Sequence, residues 1–130
     1  MNVIITGSRN WTDEVLIHET LIKLLKNDPT MQIVQGCAPG ADKIADRCAI
    51  KLLIPSLNYP AYWEDEGRAA GLIRNERMLR ETNPIRIVAF KDDFDFTMKR
   101  GGTEHMCRIA RAAGKPVHLV RHGHPIRRLK

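Results

Sequence analysis

The chain is poor in aromatic residues, which make up 5% of its 130 positions, so it offers few platforms on which unpaired bases could stack. Its three cysteines, Cys37, Cys48 and Cys107, form no CxxC pair and no zinc-like spacing. A disulfide framework and a structural zinc site are therefore excluded, and reduced thiols are expected. No apolar run approaches the roughly 18–20 residues needed to span a bilayer as a helix. Met1-Asn2-Val3-Ile4-Ile5-Thr6 lacks the charged start and longer apolar stretch of a secretion signal, so a cytoplasmic protein is expected. Neither GxGxxG nor GxxxxGK[ST] occurs, which removes the standard dinucleotide fingerprint and the P-loop. Internal repeats, low-complexity segments and interdomain linkers are also missing.

What remains is a chain of one-domain length with ordinary globular composition and a formal charge of +6. That charge is uneven. Arg121, Arg127, Arg128 and Lys130 fall in the last ten residues, whereas the helical segments carry mixed charge. A domain over residues 1–120 followed by a solvated basic tail over 121–130 is the expected organisation, with direct nucleic-acid binding a lesser alternative.

Apolar runs and helix-like segments alternate along the chain. Val3–Ile5, Gln32–Gln35, Ser56–Tyr59, Ile85–Phe90 and Pro116–Val120 read as strands. Between them lie four amphipathic segments, the first N-capped by Thr12 with Val15, Leu16, Leu21, Ile22, Leu24 and Leu25 facing inward, the last running from Glu104 to Ala113. This alternation predicts an α/β, three-layer Rossmann-like fold with a five-stranded parallel sheet in the order 3-2-1-4-5. The topological switch then lies between the first and fourth strands, where ligands of such sheets bind.

Three glycine-bearing turns follow strands and open helices: Gly7-Ser8-Arg9, Gly36 to Asp42, and Arg100-Gly101-Gly102-Thr103-Glu104. Gly7 permits close backbone approach, Ser8 brings a hydroxyl and Arg9 a bidentate anion clamp. Gly36, Gly40 and Ala41 leave room at a helix N-terminus, and Asp42 either accepts a ribose hydroxyl or caps its helix. Consecutive amides at Gly101, Gly102 and Thr103 make a phosphate nest, reinforced by Arg100. Glu104 and Asp42 are the candidate catalytic acids or bases, and His105 is expected to face solvent. Cys37 reads as a small turn residue rather than a nucleophile. Arg74 and Asn75, on the helix after an aromatic loop with Trp63, complete the candidate ligand set, with Arg74 neutralising charge and Asn75 meeting ribose or base. No metal site is read.

Taken together, Thr6-Gly7-Ser8-Arg9 with Trp11, Gly36…Gly40-Ala41-Asp42, Trp63, Gly67-Arg68-Ala69-Ala70-Gly71, Arg74-Asn75-Glu76-Arg77-Met78 and Gly102-Thr103 resemble the YspA/YpsA-related branch of the SLOG superfamily found in bacteria and phages. The resemblance runs from about Met1 to Val120. It implies a Rossmann-like domain that binds a nucleotide or nucleotide derivative, such as an ADP-ribose or NAD-like molecule or a nucleoside monophosphate, in a sensing or sequestering role. Self-association is implied too. Related lysine decarboxylase-like proteins are phosphoribohydrolases with the signature PGGxGTxxE. Here the proline is missing and Met106 falls where the final glutamate belongs, so the phosphate-holding part carries over and the catalytic part does not. The DNA-processing branch of the superfamily suggests a third role, as a nucleic-acid accessory protein.

Overall fold

The computed structural model describes residues 1–130. Its elements in order are β1 (Asn2–Gly7), α1 (Glu14–Asn27), β2 (Gln32–Gln35), α2 (Ala41–Lys51), β3 (Ser56–Asn58) and the short α3 (Trp63–Glu66). After a 3-10 turn over Gly67–Ala69 come α4 (Ala70–Thr82), β4 (Arg86–Phe90), α5 (Gly102–Ala112), β5 (Val117–Val120) and β6 (Arg127–Leu129). The sheet order is β3-β2-β1-β4-β5-β6. Strands β1 to β5 are parallel, and β6 runs antiparallel to β5, pairing Val117 with Leu129 and Leu119 with Arg127.

The strand alternation divides the apolar residues between two cores. Val3, Ile5, Ile33, Val88 and Phe90 point to one face, where α1 and α2 cover them with Ile17, Leu21, Ile44 and Cys48. Ile4, Val34, Ile87, Ala89, Val117 and Leu119 point to the other and meet Met78 of α4 and Met106, Cys107 and Ala110 of α5. A strand buried on both faces reads as an unbroken apolar run rather than an alternation, which is how β1 and β4 read.

Two expectations need correction. The sheet has six strands and is mixed, not five and parallel, because the basic tail does not trail into solvent. Arg121 to Ile126 reverse the chain, with Gly123 at φ 73°, and Leu129 packs against the α4/α5 core while Arg127 and Arg128 stay exposed. Charged side chains on so short an edge strand also discourage edge-to-edge pairing. The first helix starts one residue later than expected: Asp13, not Thr12, is the N-cap, its Oδ1 accepting from the Leu16 amide at 3.0 Å. That places Ile17, Thr20 and Leu21 in the buried stripe and leaves Val15 65% exposed.

The turns after β1 and β2 are locked together. Gly40 has φ +80°, and a Cβ there would strike the Ser8 carbonyl oxygen and lie 2.6 Å from Arg9 backbone atoms, which cannot move aside. Removing that side chain lets the Ala41 amide donate to the Ser8 carbonyl at 3.1 Å, so α2 begins against the end of β1.

Candidate functional site

A cavity of about 680 Å³ opens over the C-terminal ends of the strands and is lined from the turns after β1, β2 and β4. It sits at the switch point between β1 and β4, as the strand order requires. Of the residues singled out in the sequence, Gly7, Ser8, Arg9, Gly36, Asp42, Arg74, Asn75, Arg100, Gly102 and Thr103 line it. Gly40, Ala41, Gly101 and Glu104 do not. The lining also includes Asn10, Lys91 and Asp93, which sequence reasoning passed over. Lys91 had a signal: it is the first residue beyond β4, at the sheet edge where ligands bind.

In the turn after β1, the Ser8 amide is spent on the Phe90 carbonyl at 2.9 Å, which ties β1 to β4. The Ser8 carbonyl accepts from Trp11 and Ala41, and its hydroxyl accepts from the Asn10 amide at 3.1 Å. Arg9 faces the opening, its guanidinium 5.8 Å from the centroid of the Trp63 ring. Trp63 is half-exposed on the cavity wall. This pair brings a cation and an aromatic face to the same end of the cavity.

The turn after β2 is built around one carboxylate. Asp42 Oδ2 accepts from the amides of Gly36 at 3.1 Å and Ala38 at 3.3 Å, while the buried Oδ1 has no partner. Burial pushes the Asp42 carboxyl up to about 6 from an ordinary 3.8, outweighing the Arg74 charge and the two amides that favour ionisation. The Arg74 guanidinium is lowered, again chiefly by burial. Burial, seconded by Asp42, also raises the Cys37 thiol above its ordinary value, so it is protonated at neutral pH and serves the turn rather than acting as a nucleophile.

Arg74 and Asn75 act as struts between turns. Arg74 Nη1 donates to the carbonyls of Gly36 and Tyr59, and Nε donates to Asn75 Oδ1 at 3.0 Å. Asn75 Nδ2 donates to the Gly102 carbonyl at 3.1 Å and lies 3.2 Å from His105 Nδ1. His105 is therefore half-buried against Asn75 rather than fully turned to solvent, and burial lowers its pKa. The neutral ring can accept the Asn75 proton. Neighbouring side chains of one helix point roughly 100° apart. Here one reaches the α2 turn and the other the first turn of α5.

At the third turn, α5 begins with Gly101 as N-cap and no side chain caps it. The amides of Gly102 and Thr103 make no hydrogen bond within the protein, and both residues line the cavity. Unpaired helix-start amides and the positive end of the helix dipole favour a negative charge there. Glu104 is turned away from it. Its carboxylate is fully buried, accepting from Lys91 Nζ at 2.9 Å and from the Asp95 amide at 3.1 Å. Met106, in the place of the hydrolase glutamate, is also buried, in the α4/α5 core. Six basic side chains reach the cavity, Arg9, Arg68, Arg74, Lys91, Lys99 and Arg100, against the carboxylates of Asp42 and Asp93. The arrangement can hold an anion at the α5 end and offers a buried acceptor at Asp42.

In the β5–β6 connection, His122 bridges the segment before α1 and the segment after β4. Its Nε2 meets Asp13 Oδ2 at 2.7 Å, its Nδ1 meets Asp92 Oδ2 at 2.8 Å, and its ring stacks on Trp11 with centroids 4.6 Å apart. The bonds to Asp92 and Asp13 raise the imidazole above 6.5; the Leu16 amide and then the ring lower the Asp13 carboxyl below 3.8, and the His122 amide and then the ring lower that of Asp92. The stabilisation from His122 is fully present below its unfolded value and is lost as pH rises through the raised folded value. Asp92→Asn is expected to move the His122 titration midpoint, followed by NMR of the ring protons, back toward 6.5. An unchanged midpoint would mean that the contact carries no charge coupling.

Residues 1–65 match the YAcAr family, described as the YspA, cpYpsA-related SLOG family. The chain is also similar to the Gene 61 protein of Mycobacterium phage D29, 36% identical over 122 residues that cover 88% of this chain and 92% of that protein. No helix is long and apolar enough to cross a membrane. With the α/β sheet order and the family match extending through all of β1, α1, β2, α2 and β3, the chain belongs to the YspA, cpYpsA-related SLOG family.

Proposed function

We propose that the switch-point cavity binds a nucleotide or nucleotide derivative, of nucleoside monophosphate or ADP-ribose type, and that the domain senses or sequesters it. A phosphate would sit on the free amides of Gly102 and Thr103, with Lys99 and Arg100 balancing its charge. The sugar would donate a hydroxyl to Asp42 Oδ1, and Trp63 with Arg9 would flank the base. One observation carries the reading: the uncapped start of α5 and the unpartnered buried oxygen of Asp42 line the same cavity. An anion site beside a buried acceptor suits a phosphorylated sugar better than inorganic phosphate, which has no use for the second group.

Isothermal titration against AMP, ADP-ribose, NAD and cyclic nucleotides is expected to give a binder. Absence of binding by every member at millimolar concentration would overturn the proposal. A hydrolase reading keeps one supporting observation, since a carboxyl with a pKa of about 6 in a cavity is suited to proton transfer. That acid or base would be Asp42, because Glu104 faces Lys91. Chromatography for free base after incubation with nucleoside monophosphates separates holding from cleavage.

A further inference from the structure

A second recess, of about 710 Å³, lies at the β5–β6 edge. One wall is the connection between β4 and α5, which presents Phe94, Asp95 and Phe96. The other is β6 with Arg121, and Arg111 of α5 closes the recess between them. Five cations line it, Arg111, Arg121, Arg127, Arg128 and Lys130, against the single carboxylate of Asp95. That carboxylate is occupied: Asp95 Oδ1 accepts from the Thr97 amide at 2.9 Å and from its hydroxyl at 2.7 Å. The two phenylalanines, on either side of Asp95 and partly buried against the α4/α5 core, meet edge to face with centroids 4.8 Å apart. The Arg111 guanidinium lies 4.7 Å from the Phe96 centroid. Packing on the ring holds a long cationic side chain in place before any partner arrives, which lowers the entropy lost on binding.

We propose that this groove binds single-stranded nucleic acid through its phosphate backbone. The charge is that of a polyanion site, because four arginines and a lysine exceed what one phosphate group would need. The two rings select the single strand: they lie in the recess beside the cations, where an unstacked base can meet them and a base held in a duplex cannot. Guanidinium groups and ring edges beside the backbone track also suit unstacked bases without reading their sequence. Two of the chain's three phenylalanines are gathered in this one place.

The test is fluorescence anisotropy with a fluorescein-labelled oligothymidylate longer than the roughly 4–16 nucleotides such sites cover. Binding is expected at low salt. Its logarithm should fall against log salt concentration with a slope of about −3, from roughly −0.7 for each of four phosphates held. R127E/R128E is expected to weaken binding at least tenfold and to flatten the slope. R121E, outside β6, should weaken it severalfold and guards against loss of the edge strand in the double variant. No binding at low salt, equal or tighter binding of the matching duplex, or unaltered affinity in R121E would each overturn the proposal. So would displacement of the strand by polyglutamate at matched charge, which would assign the groove to an acidic peptide added along β6 instead.

Discussion

Asp42→Asn is expected to yield a protein that is more stable at neutral pH and binds the proposed nucleotide ligand at least tenfold more weakly. The stability half follows from the raised carboxyl. Between 3.8 and about 6 the folded state holds a proton that the unfolded chain has released, so stability falls as pH rises through that window and stays lower above it. At 1.36 kcal/mol per pH unit the loss is about 3 kcal/mol. Asparagine is neutral throughout. The variant should therefore gain on the wild type between pH 4 and pH 7 by about 2–3 kcal/mol, read as the difference between urea midpoints across pH. The binding half follows from the hydrogen bonds. The Gly36 and Ala38 amides need an acceptor, so the asparagine oxygen must take the place of Oδ2 and its NH₂ then occupies the unpartnered position. A neutral donor replaces a charged acceptor where the ligand hydroxyl would arrive, so the hydroxyl must turn to accept and the stronger charge-assisted bond is lost. A variant that lost stability at pH 7 would show that Arg74 needs the charge more than burial opposes it.

Glu104→Gln should behave in the opposite way, with a large loss of stability. Glu104 and Lys91 are 0% and 13% exposed, and replacing the carboxylate leaves a buried ammonium without its countercharge. Breaking one side of a buried pair typically costs about 3–5 kcal/mol. The amide group cannot also satisfy both Lys91 and the Asp95 amide, since each demands an acceptor. Adding Lys91→Met should restore part of the loss, because it removes the stranded charge. A catalytic Glu104 would give another pattern, with stability kept and only turnover lost. Urea unfolding of the single and double variants distinguishes the two.

The order of the five parallel strands was legible because four of them carry compact apolar runs, the weaker β3 follows the break at Pro55, and each crossover is long enough for a helix. β6 was not. Arg127-Arg128-Leu129 carries one apolar residue, and only its partner Val117 and the core beneath make Leu129 a strand residue. The site was legible where glycines end β1 and β2 and open α5, since sheet topology brings Gly7, Gly36 and Gly102 together. Side-chain commitments were harder to foresee. That Arg74 is spent on Gly36, that Asn75 holds Gly102, and that Glu104 points to Lys91 depend on contacts between residues far apart in the chain. No local pattern encodes them. Lys91 was overlooked because a lysine after a strand is common and its partner lies a turn into the next helix.

One contrast among the helices bears on how the protein is maintained in a cell. α1, whose start is held outside the cavity, has an aspartate cap, whereas α2 and α5 start on glycines with no side-chain cap. A glycine there costs only roughly a few tenths of a kcal/mol against a capping side chain, and it leaves the first amides open. An anion resting on the α5 amides would supply the missing cap, making the ligand a structural part of the domain. Occupancy would then set lifetime: at a hundredfold excess over its dissociation constant a ligand adds about 2.7 kcal/mol to stability. Cells rich in the ligand would accumulate the protein, and cells depleted of it would clear the emptied form faster by proteolysis. Abundance itself would become a readout of the small molecule.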